Sequence, residues 1–231
     1  MTRRIITIRP EPGCAATVAA GRAAGLAIAG WPLFDVRPRP WIGPDPQGVD
    51  GLLLGSANAI RHGGAGLDAY RGKPVWAVGG ATAAAASDAG FTIAGTGPGV
   101  LQQLVDRIEG PLRLLRLAGA EHVPLRAPDG ITVDTRIVYE SVARPFPPEL
   151  AESLPDALVL LHSAAAARHF AAEVDRMAIP RARLHLASLG PRIEDAAGEG
   201  WGSSRNAARP AEDELLALAA EMCHDSAWHG G

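Results

Sequence analysis

The stretch VWAVGGATAAAASDAGF, residues 75–91, contains the unit from which the fold can be predicted. The apolar run Val75–Val78 has the length of a strand, and two glycines follow it directly. The alanine-rich segment Ala81–Ala89 then predicts a helix, and Gly90 stands where a terminating glycine is common. The stretch therefore predicts a strand, a tight turn and a helix in succession, which is the building unit of an α/β protein.

The same alternation extends over most of the chain. Further apolar runs predict strands at Ile5–Ile8, Gly51–Leu54, Leu112–Leu117, Ala157–Leu161 and Leu184–Ala187. Amphipathic stretches predict helices at Ala15–Ala24, Ala57–Ala69, Gly99–Ile108, Ala164–Met177, Pro191–Glu199 and Ala211–Met222. Because most strand candidates are continuously apolar rather than alternating, they predict parallel strands buried on both faces.

An internal repeat indicates two similar halves. The segment that begins at Ala77 has a counterpart at Ala187, shifted by 110 positions. Ser56 and Ser163, each after an apolar strand, are 107 positions apart. A third pair, Pro98 and Pro210, opens two leucine-bearing helices at a spacing of 112. Three landmarks in one order at nearly one spacing predict a duplicated architecture.

Proline-rich segments predict where the chain passes between the halves. Arg37–Gly48 has the composition of a linker, and Arg144–Pro148 follows the strand-like stretch Thr135–Val142. We therefore expect a discontinuous first α/β domain, residues 1–36 plus 145–231, and a second α/β domain, residues 42–136. Residues 37–41 and 137–144 are expected to form two linker strands.

Composition excludes several classes of protein. Charged residues make up 20% of the 231 residues and the net charge is −3, so we expect no binding to nucleic acid or to an anionic membrane. No apolar run approaches the ~20 residues of a membrane span, and the N-terminal run Ile5–Ile8 is too short for a signal peptide. These features predict a cytoplasmic protein. The two cysteines, Cys14 and Cys223, are too few for a disulfide framework or a four-thiolate metal site.

Common catalytic motifs are absent from the sequence. It contains no G-x-x-x-x-G-K-[ST], no G-x-S-x-G and no H-E-x-x-H pattern. The run Gly95–Gly99 lacks the G-x-G-x-x-G spacing of a dinucleotide loop, and Pro98 is better explained as the first residue of a helix. The seven histidines form no convincing ligand pair, so we expect no metal site.

Four small-residue turns recur between a strand and a helix. They are Gly55–Asn58, Gly79–Thr82, His162–Ala164 and Leu189–Arg192. In an open parallel sheet such turns lie at the carboxyl ends of the strands, where ligands bind. Their helix N-terminal N–H groups can bind anions, whereas their Ser and Thr side chains can equally serve as N-caps. Together they predict recognition of a ligand that carries several carboxylates.

The ordered motifs of the chain resemble those of the uroporphyrinogen-III synthase family. The matching segments are Ile8-Arg9-Pro10, Pro32–Val36, Leu54-Gly55-Ser56-Ala57-Asn58-Ala59, Ala77-Val78-Gly79-Gly80-Ala81-Thr82-Ala83, Val138-Tyr139-Glu140, Leu161–Ala166, Ser188-Leu189-Gly190-Pro191 and Pro210–Leu215. Each motif alone is weak, but the set runs in order along nearly the whole chain. Three departures stand out: Gly55 replaces a Thr, Ala164 replaces a proline, and Arg192-Ile193 replaces two hydroxyl residues.

The resemblance implies a fold and a reaction. The fold is two similar flavodoxin-like, doubly wound domains joined by a two-stranded linker, with the active site in the cleft between them. The substrate is hydroxymethylbilane, a linear tetrapyrrole with eight carboxylates, and the lyase product is uroporphyrinogen III of haem biosynthesis. No metal or organic cofactor is implied. We expect a monomer that makes at most transient contacts with neighbouring pathway enzymes.

The resemblance also assigns residues to roles. Tyr139 is the candidate general acid for the departing hydroxyl, although a tyrosine that only packs against the hinge remains the alternative. The candidate substrate-binding residues are Arg9, Ser56, Ala57, Asn58, Gly80, Thr82, Ser163, Ala164, Gly190 and Arg192.

Two other functions stay open at this point. A non-catalytic protein of the same architecture could bind a tetrapyrrole or a small anion. A dinucleotide-dependent enzyme is disfavoured because the glycine spacing and the ribose-binding acid are missing.

Overall fold

The computed structural model describes residues 4–97 and 99–224 of the chain. These residues form two compact units. Unit 1 runs as far as Asp35 and resumes at Ala143, and unit 2 comprises Val36–Val142. The chain thus leaves unit 1 once and returns to it once.

The described residues contain eleven strands and eight α-helices, numbered in chain order. The strands are β1 (Ile5–Thr7), β2 (Ile28–Gly30), β3 (Phe34–Pro38), β4 (Gly51–Leu54), β5 (Val75–Val78), β6 (Ile93–Gly97), β7 (Leu112–Gly119), β8 (Ile131–Ala143), β9 (Leu158–Leu161), β10 (His185–Ser188) and β11 (Ser203–Asn206). The helices are α1 (Gly13–Ala23), α2 (Asn58–His62), α3 (Gly79–Asp88), α4 (Leu101–Val105), α5 (Pro148–Ser153), α6 (Ala164–Arg176), α7 (Pro191–Ala197) and α8 (Glu212–His224).

Unit 1 is built on a five-stranded sheet in the order β11-β10-β9-β1-β2. All four neighbouring pairs are parallel; Ile5, for example, pairs with Ile28 on one side and Leu158 on the other. Counted within the unit, the strand order is 2-1-3-4-5, which is the flavodoxin-like doubly wound order.

Unit 2 is built on a six-stranded sheet in the order β3-β8-β7-β4-β5-β6. The pairs from β8 to β6 are parallel. The α/β class with parallel doubly wound sheets is therefore confirmed, but only unit 1 has the flavodoxin order. Counting from β4, unit 2 follows 3-2-1-4-5 with β3 added at the edge. The difference arises because unit 2 adds a third strand, β6, before the chain crosses to the other side of its first strand.

Both faces of each sheet are covered by apolar side chains. In unit 1, one cluster includes Ile6, Val159 and Phe170, while the opposite face includes Ile5 and Leu158. Unit 2 likewise divides its core between two clusters. Adjacent strand residues thus face different clusters and are both buried, which explains why the central strands are continuously apolar.

Several elements differ from the sequence-based expectation. The predicted helix Ala57–Ala69 is interrupted, since α2 ends at His62 and a 3₁₀ segment spans Gly64–Tyr70. The cause is Gly64, whose φ of +63° does not fit a right-handed helix. Three strands were not predicted: β2, β6 and β11. All three lie at sheet edges, where a strand needs fewer apolar residues, and β11 has the polar sequence SSRN. The helix-opening role predicted for Pro98 lies outside the described residues.

Each sheet has one point where the strand order reverses. In unit 1 this point lies between β1 and β9, and in unit 2 it lies between β4 and β7. Ligands of open α/β sheets bind beyond the carboxyl ends of the strands at such switch points. The turns that follow β1, β9, β4 and β7 are therefore where a site is expected.

Candidate functional site

In unit 2 the turn after β4 contains three of the predicted binding residues. The Ser56 hydroxyl accepts a hydrogen bond from the Asn58 N–H at 3.2 Å, so it stabilises the turn that precedes α2. Ala57 is buried, and the Asn58 side-chain oxygen accepts a 3.4 Å bond from exposed Arg61. The side chains of this turn thus mainly stabilise its own conformation.

The turn after β5 leads directly into α3. Gly80 is exposed, and a Cβ added there would have no neighbour within 4 Å. Thr82 lies in the first turn of the helix and is only 6% exposed. The open surface at this turn is therefore provided by backbone rather than by the Thr82 side chain.

Tyr139 lies at the switch-point edge of unit 2. It pairs in register with Gly119, the last residue of β7. Its ring is so close to this glycine that a Cβ at position 119 would lie 2.6 Å from Tyr139 Cε2. The His62 ring, at the end of α2, is tilted against Tyr139 with 6.3 Å between centroids. A phenol and an imidazole are thus placed together beside the β4–β7 switch point.

Two basic residues at this edge, His62 and Arg116, were not predicted from the sequence. Burial, together with the charge of Arg61, lowers the pKa of His62, which favours the neutral imidazole. Arg116 in β7 is 6% exposed and donates from Nη1 to the Val123 carbonyl at 2.9 Å. Burial lowers the pKa of Arg116, and nearby Tyr139 opposes this effect. The available sequence signal was an arginine within the buried, otherwise apolar part of this strand, Leu114–Ala118.

In unit 1 the turn after β9 contains Ser163 and Ala164. The Ser163 hydroxyl accepts from the Ala166 N–H at 3.1 Å, so it is the N-cap of α6, and Ala164 is the first helical residue. A thirteen-residue helix with a capped N-terminus presents its remaining N–H groups at the switch point of this unit.

A polar cluster joins three elements at the same edge. Glu212, at the start of α8, accepts hydrogen bonds from Arg9 Nη1 at 2.9 Å and from the Thr17 hydroxyl at 2.6 Å. His162 Nε2 lies 3.2 Å from the same carboxylate, and its side chain is 6% exposed. Burial raises the pKa of Glu212, but hydrogen bonds from His162 and Thr17 and the Arg9 charge outweigh it and bring the pKa to about 2.

One predicted binding residue, Arg9, is part of this cluster. Its Nη1 is engaged by Glu212 and also lies 3.3 Å from Thr17 Oγ1. No local pattern could have predicted the pair, because the two partners are 203 positions apart in the sequence.

The turn after β10 contains Gly190 and Arg192. Gly190 precedes α7, and a Cβ there would meet nothing within 4 Å. The Ser188 hydroxyl donates to the Asn206 side-chain oxygen at 2.5 Å, which joins β10 to β11. Arg192 is exposed in the first turn of α7. This turn therefore offers open backbone and one exposed cation.

The structure thus distributes the predicted residues over the carboxyl edges of both sheets. Within unit 2 these residues are Ser56, Ala57, Asn58, Gly80, Thr82 and Tyr139; within unit 1 they are Arg9, Ser163, Ala164, Gly190 and Arg192. Among the described residues, no three His, Cys, Asp or Glu side chains are grouped as metal ligands. None of the helices in that part of the chain is long and apolar enough to cross a bilayer.

Comparisons with known proteins agree on one family. The family model described as uroporphyrinogen-III synthase HemD matches residues 15–217. The crystal structure of uroporphyrinogen-III synthetase from Helicobacter pylori superposes with a TM-score of 0.64 at 17% identity, covering 95% of this chain and 99% of that one. A mutant uroporphyrinogen III synthase from the extremely thermophilic bacterium Thermus thermophilus gives a TM-score of 0.53 at 16% identity, covering 96% and 100%. At such identities the two structures establish a shared fold. No curated protein matched the sequence.

Proposed function

Because the chain belongs to the uroporphyrinogen-III synthase family, we propose that it converts hydroxymethylbilane into uroporphyrinogen III, acting as a lyase in haem biosynthesis. The observation that carries this proposal is the family match, which extends over residues 15–217 and hence into both units. The strand–turn–helix edges described above supply the binding groups that such a polycarboxylate requires.

Backbone N–H groups are the main carboxylate-binding groups in this proposal. The substrate carries four acetate and four propionate side chains. The hydroxyls of Ser56 and Ser163 already accept hydrogen bonds from backbone N–H groups, whereas the helix N-termini after β5 and β9 keep N–H groups and partial positive charge. Exposed Arg192 adds a cation at the turn after β10. Each unit thus offers groups that can bind carboxylates.

The reaction requires positioning and a proton. Tyr139 gives its phenolic proton to the terminal hydroxyl of the substrate, the C–O bond breaks and water departs. Ring A then returns its pyrrole N–H proton to the phenolate and becomes a neutral azafulvene. Ring D attacks through its substituted carbon to give a spiro intermediate, which fragments and recloses with ring D inverted. Since ring D must reach ring A by the less accessible carbon, holding the folded substrate is the larger part of catalysis.

The test is the identity of the cyclised isomer. The purified protein is incubated with enzymatically made hydroxymethylbilane, and the oxidised products are separated into isomers I and III. We expect isomer III, and we expect activity to persist after treatment with EDTA. If isomer I remains the sole product with folded protein in excess, the chain does not catalyse this reaction.

The cellular setting follows from the same proposal. We propose a cytoplasmic monomer that receives its unstable substrate from the preceding pathway enzyme, with at most transient contact. Size-exclusion chromatography with light scattering measures the oligomeric state.

A further inference from the structure

Arg116 is a buried cation without an acidic partner. Its residue exposure is 6%, and its one hydrogen bond within the described chain goes from Nη1 to the Val123 carbonyl. Among the described residues, no carboxylate forms an ion pair with it. A guanidinium has five N–H donors, so most of its capacity for hydrogen bonds is unused.

Two other arginines of the chain have a carboxylate partner. Arg113, on the same strand, pairs with Asp50, and Arg176 pairs with Glu173 in α6. In both cases the carboxylate raises the pKa of the arginine, whereas burial lowers that of Arg116. Removing an unpaired ion from water costs several kcal/mol. In the described part of the chain, one hydrogen bond to the Val123 carbonyl offsets part of this cost for Arg116, and no carboxylate adds to it.

The position of Arg116 indicates what could offset the cost. It lies on β7, a switch-point strand, and alternation places its side chain on the face of Leu114, opposite to the face on which Gly119 contacts the Tyr139 ring. The crossover from β7 to β8, residues 120–130, contains no helix. Among the described residues, the side-chain polar atoms that are fully buried and lack a hydrogen-bond partner belong to Thr7, His162 and Ser204. The nitrogens of Arg116 are not in this group, so those without a hydrogen-bond partner reach the surface.

We propose that Arg116 binds one carboxylate of the substrate at the carboxyl edge of the unit 2 sheet. This inference rests on the proposed function and specifies one of its contacts. An acetate or propionate group supplies the missing countercharge and accepts two parallel N–H bonds from the guanidinium. Binding thus pairs the cation and fixes one pyrrole relative to unit 2, and the unpaired cation is part of the unliganded state.

The test combines ligand binding with stability. Arg116→Met keeps an unbranched apolar stem and removes the charge, Arg116→Lys keeps the charge but not the fork, and Arg107→Met removes an exposed charge as the matched control. The probe is uroporphyrin III, the stable oxidised product, measured by calorimetry. We expect Arg116→Met to lose about tenfold to a hundredfold in affinity and to raise KM for hydroxymethylbilane. Arg116→Lys should fall between native protein and Arg116→Met, and Arg107→Met should match the native protein.

Stability separates this role from a structural one. Since Arg116→Met removes an unpaired buried charge, it should melt at the native temperature or above it without ligand. Native affinity and native KM in Arg116→Met, together with a lower melting temperature, would overturn the proposal. Should Arg116→Met not fold, native affinity and KM in Arg116→Lys would overturn it as well. If the native protein forms no isomer III, the proposed reaction itself is wrong. If the native protein forms isomer III and Arg116→Met keeps native affinity and KM, only the Arg116 contact is rejected.

Discussion

Glu173 connects α6 to the segment that follows β8, and its replacement by Gln is a quantitative test of the unit 1 structure. The residue is 8% exposed. Its carboxylate accepts hydrogen bonds from the Phe146 N–H at 2.8 Å and from Arg176 Nε and Nη2 at 2.9 and 2.8 Å. These contacts lower the pKa of the Glu173 carboxyl from 4.5 to about 2. The Arg176 hydrogen bonds are the largest cause of the shift, and together with the Phe146 N–H they outweigh burial, which raises the pKa.

The size of the effect follows from this pKa. A folded-state pKa of about 2 against an unfolded value of 4.5 corresponds to about 3 kcal/mol of stability at neutral pH. The Arg176 side chain is 56% exposed, so solvent screening reduces its share. Gln can also still accept one hydrogen bond. We therefore expect Glu173→Gln to lower the free energy of unfolding by about 2 kcal/mol at pH 7, roughly 4–8 °C in melting temperature.

The pH dependence gives the sharper measurement. Because folding lowers the pKa, the stabilisation is complete above the unfolded value of 4.5 and is lost as the pH falls through the folded value of about 2. Urea unfolding followed by circular dichroism should thus show the native–variant difference shrinking from pH 5 toward pH 2. Glu152→Gln, an exposed glutamate on α5 of the same unit, is the control. Equal losses for both variants at pH 7, or a difference that persists in acid, would refute the reasoning.

Three further predictions concern the candidate site. Gly119→Ala places a Cβ 2.6 Å from Tyr139 and should lower kcat roughly tenfold to a hundredfold. The control Gly48→Ala, whose Cβ has its nearest neighbour at 3.8 Å, should leave kcat unchanged. An unchanged kcat in Gly119→Ala would contradict the contact. Tyr139→Phe should lower kcat by about a hundredfold or more with little change in KM, and a native rate would remove Tyr139 as the acid. Ser163→Ala removes the α6 cap and Ser56→Ala removes one hydrogen bond to the Asn58 N–H, so each should cost about 1 kcal/mol in urea unfolding. Both variants should keep most activity, and near-total loss of activity would show that the hydroxyls bind substrate.

The central strands could be predicted from the sequence because burial on both faces leaves a continuous apolar run. Gly51–Leu54 and Val75–Val78 are observed with the predicted bounds. The edge strands β2, β6 and β11 could not be predicted, since a strand with one neighbour tolerates glycine and polar residues. Short local patterns also could not show that Gly64 would interrupt the predicted helix.

The candidate site was predictable only in part, for a related reason. Turns between a strand and a helix have a local sequence pattern, so the four turns could be located. The pairing of Arg9 with Glu212, and the grouping of His62 with Tyr139, depend on which strands become neighbours. Such contacts between distant positions require the strand order, which one sequence does not provide.

The division of unit 1 between the two ends of the chain has a consequence for protein synthesis. Ile5 of β1 pairs with Leu158 of β9, so about 150 residues are translated between the two partners. At roughly 5–20 residues per second, the ribosome takes about 8–30 s to deliver the second strand. All of Val36–Val142 emerges during this interval. The nascent N-terminal segment meanwhile exposes an apolar strand edge, the kind of surface that chaperones bind and that aggregates when unprotected.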